Sequence, residues 1–233
     1  MAVFIIASTG RCGTQAICDA FGQYSDHQVR HEPEPLLLAE AQRAHLGRWR
    51  YSPIYVRRML GFRRLDGDRY GESVRCPTLV GDIARAAPGS RLVVLFRSPP
   101  GYVASAWSRG VMRKGDQWDQ WRILPPDAAG RSVVDLIGLH YAEVNQILAD
   151  TVASLGARAT VVEVGDLDAV VDQVAAFAGI GITDRQAMSD LLAQRPNAGP
   201  SGPWGDATAG PVSDDVALRA DDAYRRLQAL AGP

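Results

Sequence analysis

A buried strand that runs straight into a glycine-rich turn and then a helix is the strongest constraint in this chain. Residues Val3 to Ile17 read VFIIASTGRCGTQAI. The apolar run ends at Ala7, a polar turn follows, and helix-forming residues take over near Thr14. That order builds an anion site. The first N–H groups of a helix have no partners within it, and the helix dipole adds partial positive charge there. Gly10 and Gly13 let the backbone fold tightly around an oxyanion. Arg11 contributes a fixed charge, and Thr9, Thr14 and Gln15 carry side-chain donors. The turn reads as a seat for a phosphate-like or sulfate-like group.

It is not a triphosphate loop. The pattern G-x-x-x-x-G-K-[ST] needs a lysine after its last glycine, and Thr14 stands after Gly13. The dinucleotide pattern G-x-G-x-x-G fails as well, because Gly10, Gly13 and Gly22 are wrongly spaced. What remains is T-G-R-C-G-T-Q. It closely resembles the 5′-phosphosulfate loop of sulfotransferases, commonly written T-G-R-S-G-T-[TS], with Cys12 for the usual serine and Gln15 for the usual second hydroxyl residue. The resemblance implies 3′-phosphoadenosine-5′-phosphosulfate (PAPS) as donor. Its 5′ end would sit among Thr9, Gly10, Arg11, Cys12, Gly13, Thr14 and Gln15.

Arg91 to Trp107 reads RLVVLFRSPPGYVASAW. Leu92 to Phe96 has the unbroken apolar character of a parallel strand covered on both faces. Arg97 follows at its C-terminal end, where open α/β sheets bind ligands. Pro99 and Pro100 stop the strand, and Gly101 to Arg109 reads as a helix carrying Ser105. A guanidinium at a strand end and a hydroxyl on the next helix can converge on one phosphate. The same segment resembles the sulfotransferase 3′-phosphate motif, a strand, R-[DS]-P and a helix with serine eight residues after the arginine. Arg97 and Ser105 have that separation. A third stretch, ATVVEVGDLDAVVDQVAAFAGI, resembles a later strand, acidic-leucine turn and helix of the family. It predicts a strand over Val161–Val164 and a helix capped by Asp166 or Asp168, and is read as structural.

With 233 residues, 46% of them apolar, the chain can bury one substantial core. Strands alternating with helices predict a three-layer α/β/α domain over 1–233, built on a central, mostly parallel sheet of the P-loop nucleotide-binding type. Helices are expected near Leu36–Leu46, Ile54–Leu60 and Thr78–Ala87, over 132–155, and over 213–231. Residues 47–76 give no clear assignment. A net charge of −1 argues against non-specific nucleic-acid or membrane binding. Arginines between Arg43 and Arg75, including Arg57-Arg58 and Arg63-Arg64, either attract an anionic ligand or coat a solvated helix face. Cys12, Cys18 and Cys76 have neither zinc nor disulfide spacing. A helix start beside Arg11 can lower the pKa of the Cys12 thiol, but no histidine partner is apparent, and Cys12 reads as a small loop residue standing in for serine rather than a catalytic cysteine. The run Val3–Ala7 is too short for a signal peptide or membrane span, so the expected location is cytoplasmic.

Residues 28–31 read as a short strand leading to His31-Glu32-Pro33-Glu34-Pro35. The two prolines predict an extended, rigid turn, because the residue before proline avoids the helical region. Many carbohydrate and small-molecule sulfotransferases carry a Glu-Pro pair here, and the resemblance implies that its carboxylate deprotonates the acceptor. Glu32 matches that position; His31 competes for the same role or binds the acceptor. Arg11, Glu32 and His31 thus form the expected catalytic set. The resemblance implies no metal and a small-molecule or carbohydrate acceptor. Trp49, Tyr51, Tyr55, Trp118 and Trp121 are candidate pocket walls, and 195–211 is a candidate lid. Two other readings stay open: a small-molecule kinase on the related sheet, and a nucleotide-binding protein without catalysis.

Overall fold

The computed structural model describes residues 3–33, 53–65, 68–74, 77–113, 123–194 and 210–231. Five strands form the sheet: β1 (Phe4–Ser8), β2 (Gln28–His31), β3 (Tyr70–Val74), β4 (Arg91–Phe96) and β5 (Ala159–Glu163). Eight helices are described: α1 (Thr14–Tyr24), α2 (Pro53–Leu65), α3 (Val80–Ala86), α4 (Pro99–Ser108), α5 (Val133–Leu155), α6 (Leu167–Ala178), α7 (Arg185–Ala193) and α8 (Asp214–Leu230). The sheet order is β2-β3-β1-β4-β5, and every pairing is parallel. The expected mostly parallel sheet is therefore wholly parallel among the described residues.

Alternation along the strands feeds two apolar layers. Ile5, Ala7, Leu92, Val94, Phe96 and Val161 face one layer, closed by α2, α3, α5 and α8. Phe4, Ile6, Val93, Leu95 and Val162 face the other, closed by α1, α6 and α7. Ser132 caps α5 by accepting from Asp135 N at 3.1 Å, and Asp166 rather than Asp168 caps α6, accepting from Asp168 N at 3.2 Å. α8 lies close on α5, where a Cβ added at Gly138 would stand 2.6 Å from Val216 Cγ1.

The unassigned region holds the strand that the apolar pattern does not reveal. β3, YGESV, is buried along its whole length despite a glycine, a glutamate and a serine. Glu72 is 1% exposed. Tyr70 Oη donates to its Oε2 at 2.6 Å, and Arg58 from α2 pairs with its Oε1. Arg58 is thus committed to the sheet, while Arg57, Arg63 and Arg64 remain on the exposed face expected of this basic stretch. Gly71 is required by contact: a Cβ there would sit 2.0 Å from Phe4 Cε1. Gly71→Ala must displace a fully buried ring and is expected to cost about 3 kcal/mol, the upper end of overpacking penalties. A denaturant midpoint equal to wild type would contradict this.

Sheet order positions the site. β1 connects toward β2 on one side, and β4 connects toward β5 on the other. β1 and β4 are neighbours, with Ser8 level with Leu95. Their C-terminal ends form the crevice where the crossovers part, the place in open α/β sheets that receives ligands.

Candidate functional site

The turn after β1 is left-handed at three positions: Gly10 (φ 88), Arg11 (φ 57) and Gly13 (φ 72). Gly10 N donates to Ser8 Oγ at 3.0 Å, and the Cys12 thiol donates to Gly10 O at 3.2 Å. Gly13 opens α1 without a side-chain cap, so the first N–H groups of that helix keep the character of an anion seat. Arg11 is not a glycine, and its left-handed backbone costs about 1–2 kcal/mol. Two contacts hold it. Arg97 Nη1 donates to Arg11 O at 3.1 Å, and Arg11 Nε donates to Ser105 Oγ at 3.3 Å.

Arg97 follows the last residue of β4, and Ser105 lies on α4. Pro99 and Pro100 occupy the first helical positions rather than preceding the helix; proline suits that place because it has no N–H to leave unpaired there. The Arg97 guanidinium lies over the first turn of α4. A Cβ at Gly101 would be 3.4 Å from Arg97 Nε and 3.1 Å from Ser98 Oγ. Gly101 therefore leaves space for the fork. The Arg97–Ser105 pair and the first loop join at Arg11, one through its carbonyl and the other through its guanidinium. Arg109 adds a third positive charge. Burial and then Arg109 lower the Arg11 pKa, although a guanidinium remains charged. Arg109 belongs to neither motif, and its local signal in the sequence is its position one helical turn beyond Ser105.

Helix α5 underlies both loops. Thr9 Oγ1 donates to Asn145 Oδ1 at 2.6 Å, and Tyr141 Oη donates to Arg97 O at 2.7 Å. The Thr9 hydroxyl proton is directed into the protein. Thr14 is half-buried at the start of α1, and Gln15 is exposed beside it.

The Cys12 side chain belongs to the apolar layer beneath α1. Burial pushes its pKa up to about 12, outweighing Arg97 and Arg11, which act in the expected lowering direction. Desolvation thus outweighs the lowering that the helix start and Arg11 can exert. Burial likewise raises Cys18 to about 12. In a Cys76→Ser variant at pH 8, neither thiol is expected to react with a disulfide reagent until the protein unfolds. Rapid native labelling would contradict the burial. Protonated thiols also contribute stability that is present below pH 9, their ordinary value, and lost as pH rises toward 12.

His31 ends β2, and Glu32 follows with φ 42. The turn is left-handed at Glu32 rather than extended. Glu32 N donates toward both Ser73 O and Ser73 Oγ at 3.2 Å, which holds the backbone in this less populated conformation. His31 Nδ1 lies 2.7 Å from the same Ser73 Oγ, and His31 Nε2 is 4.0 Å from Glu32 Oε1. β3 separates β2 from β1, so these residues stand on the same sheet edge as the first loop, roughly two strand spacings or 10 Å away.

Glu34, the Leu36–Leu46 segment, Trp49, Tyr51, Cys76, Trp118, Trp121 and residues 195–209 of the candidate lid lie outside the described residues, as does the side chain of Tyr55. Among the described residues, no group of three or more His, Cys, Asp or Glu is arranged to hold a metal ion. No described helix is long and apolar enough to cross a membrane.

No protein-family model and no curated protein matches this sequence. Solved structures do. A sulfotransferase from Alicyclobacillus acidocaldarius superposes with a TM-score of 0.51 at 16% identity, covering 97% of this chain and 94% of that one. The sulfotransferase domain from the curacin biosynthetic pathway has a TM-score of 0.47 at 11% identity, covering 96% and 97%. The first likeness extends over nearly the whole of both chains. The protein therefore shares its α/β fold with a bacterial sulfotransferase; among the described residues of this chain that fold is a parallel five-stranded sheet between helical layers.

Proposed function

We propose that this protein is a sulfotransferase that moves a sulfuryl group from PAPS to a hydroxyl of a small-molecule or carbohydrate acceptor. The observation that carries the reading is the joining of two anion-binding elements at the β1–β4 crevice through Arg97, Arg11 and Ser105. The residues present fit a donor with an anionic group at each end. Three left-handed residues and an uncapped 11-residue helix face one end. A guanidinium fork and a helix hydroxyl face the other.

When bound, the donor supplies an activated sulfuryl group linked to a phosphate leaving group. Arg11 and the backbone N–H groups of Gly13 and Thr14 stabilise negative charge developing at the 5′ end. Such donors are each worth about 3–4 kcal/mol in comparable oxyanion sites. Arg97 and Ser105 bind the 3′-phosphate and fix the long axis of the nucleotide, which is a positioning contribution. Glu32 takes the proton of the acceptor hydroxyl, with His31 beside it to orient the carboxylate or replace it. Gln15, exposed beside Thr14 at the start of α1, offers a further side-chain donor to the 5′ end.

Calorimetric titration with adenosine 3′,5′-bisphosphate, AMP and ATP–Mg2+ tests the reading. Tightest binding of the bisphosphate is expected. A preference for ATP–Mg2+ would overturn the proposal in favour of a kinase. Bisphosphate binding without sulfation of any component of a metabolite mixture supplied with labelled PAPS would favour a non-catalytic nucleotide-binding protein.

A further inference from the structure

Two buried polar side chains on one face of α5 have no part in the chemistry above, yet each holds one of the two anion loops. Asn145 is fully buried, and its Oδ1 accepts the Thr9 hydroxyl at 2.6 Å, a contact spanning 136 residues of sequence. Tyr141, one helical turn earlier, is 1% exposed. Its Oη donates to Arg97 O at 2.7 Å. The ring is packed against Tyr102 of α4, with centroids 5.1 Å apart. Burial raises the Tyr141 pKa, so the phenol keeps the proton with which it binds that carbonyl.

These contacts differ from ordinary core bonds in what they hold. Thr9 precedes the left-handed turn, and Arg97 carries the fork of the second site. Residues one turn apart on a long helix are held at a nearly fixed separation of about 6 Å. The internal bonds of the first loop, Ser8 Oγ to Gly10 N and Cys12 Sγ to Gly10 O, set its shape without reference to α5. The β1–β4 ladder and the Arg97–Arg11 bond bring that loop and Arg97 together, and what α5 adds is a second, buried constraint that fixes their separation. Buried hydrogen bonds suit this task because they are directional and leaving them unmade is costly.

Resting on the sulfotransferase reading, we propose that Asn145 and Tyr141 are positioning residues. They set the spacing of the two anion loops and thereby make the site selective for a nucleotide with anions at both its 5′ and 3′ ends. A ligand with only a 5′-phosphate engages one loop and is indifferent to the spacing. A ligand spanning both loops loses affinity when either anchor slips.

The test compares Asn145→Leu, Tyr141→Phe and the double variant with wild type. The measured quantity is the ratio of AMP to adenosine 3′,5′-bisphosphate dissociation constants, with Tm recorded in parallel. Each single variant is expected to lower the ratio roughly 5- to 30-fold, chiefly by weakening bisphosphate binding. The double variant should fall little further, because loss of either anchor already frees the spacing. Ratios that stay at the wild-type value would overturn the inference, even if Tm falls. So would equal weakening of both ligands, which is the mark of general destabilisation. If Asn145→Leu does not fold, Tyr141→Phe decides alone, since it removes one oxygen and keeps the ring packing. A wild-type protein that binds the bisphosphate no tighter than AMP would instead refute the sulfotransferase reading on which the inference stands.

Discussion

Glu32→Gln is expected to lower acceptor-dependent turnover by roughly 10²- to 10⁴-fold, the range lost with a general base. Glutamine retains the shape of the side chain. The backbone N–H still reaches Ser73, so the left-handed turn and its two contacts to β3 persist. What disappears is the capacity to accept a proton. Bisphosphate affinity should change by less than about 2-fold, because uncharged isosteres away from a ligand rarely alter binding more. The companion variant His31→Ala separates the two candidates for the base. Full turnover in Glu32→Gln together with collapse in His31→Ala would transfer the role to the imidazole. Ser73 contacts both residues, so Ser73→Ala should lower turnover through geometry, with a smaller effect than Glu32→Gln.

The second large effect is expected at Arg97. Arg97→Ala removes the fork over the first turn of α4 and the bond to Arg11 O. Truncating one member of a charged, hydrogen-bonded pair costs about 2–5 kcal/mol, so bisphosphate binding should weaken roughly 30- to 5,000-fold. AMP, with no 3′-phosphate, should lose much less. Arg97→Lys should recover only part of the loss, because an ammonium lacks the paired donors of a guanidinium. Equal losses for the two nucleotides would show that Arg97 supports the Arg11 turn and does not read the 3′ end.

Much of the fold was legible because its strands advertise themselves locally. β1 and β4 are continuous apolar runs, and parallel strands covered on both faces have that composition. α5 and α8 show helical periodicity close to their observed limits. β3 was hidden because its burial relies on partners. Glu72 is tolerated there only with Arg58 on α2 and the Tyr70 hydroxyl, and Gly71 only because the Phe4 ring occupies the missing side chain's place. A polar residue in an interior costs little once its partners are present, and those partners are not visible as periodicity. The left-handed conformation of Glu32 had the same origin, since the Ser73 contacts that hold it come from this unrecognised strand.

The same division runs through the site. By itself the sequence determined the strand–turn–helix with its glycines and the eight-residue separation of Arg97 and Ser105. Each is a short-range pattern, set by backbone freedom, helix ends and the φ limits of proline. Tertiary structure alone decided that β1 and β4 are neighbours. That placement lets Arg97 reach Arg11 across 86 residues and Arg11 reach Ser105 across 94. It also turned the Cys12 sulfur into the core, where desolvation overcomes two nearby arginines, and directed Thr9 onto Asn145. A helix N-terminus and a glycine turn create an anion seat wherever they occur. Only the pairing of β1 with β4, with α5 packed beneath both, brings Arg97 and Ser105 to the turn at Arg11.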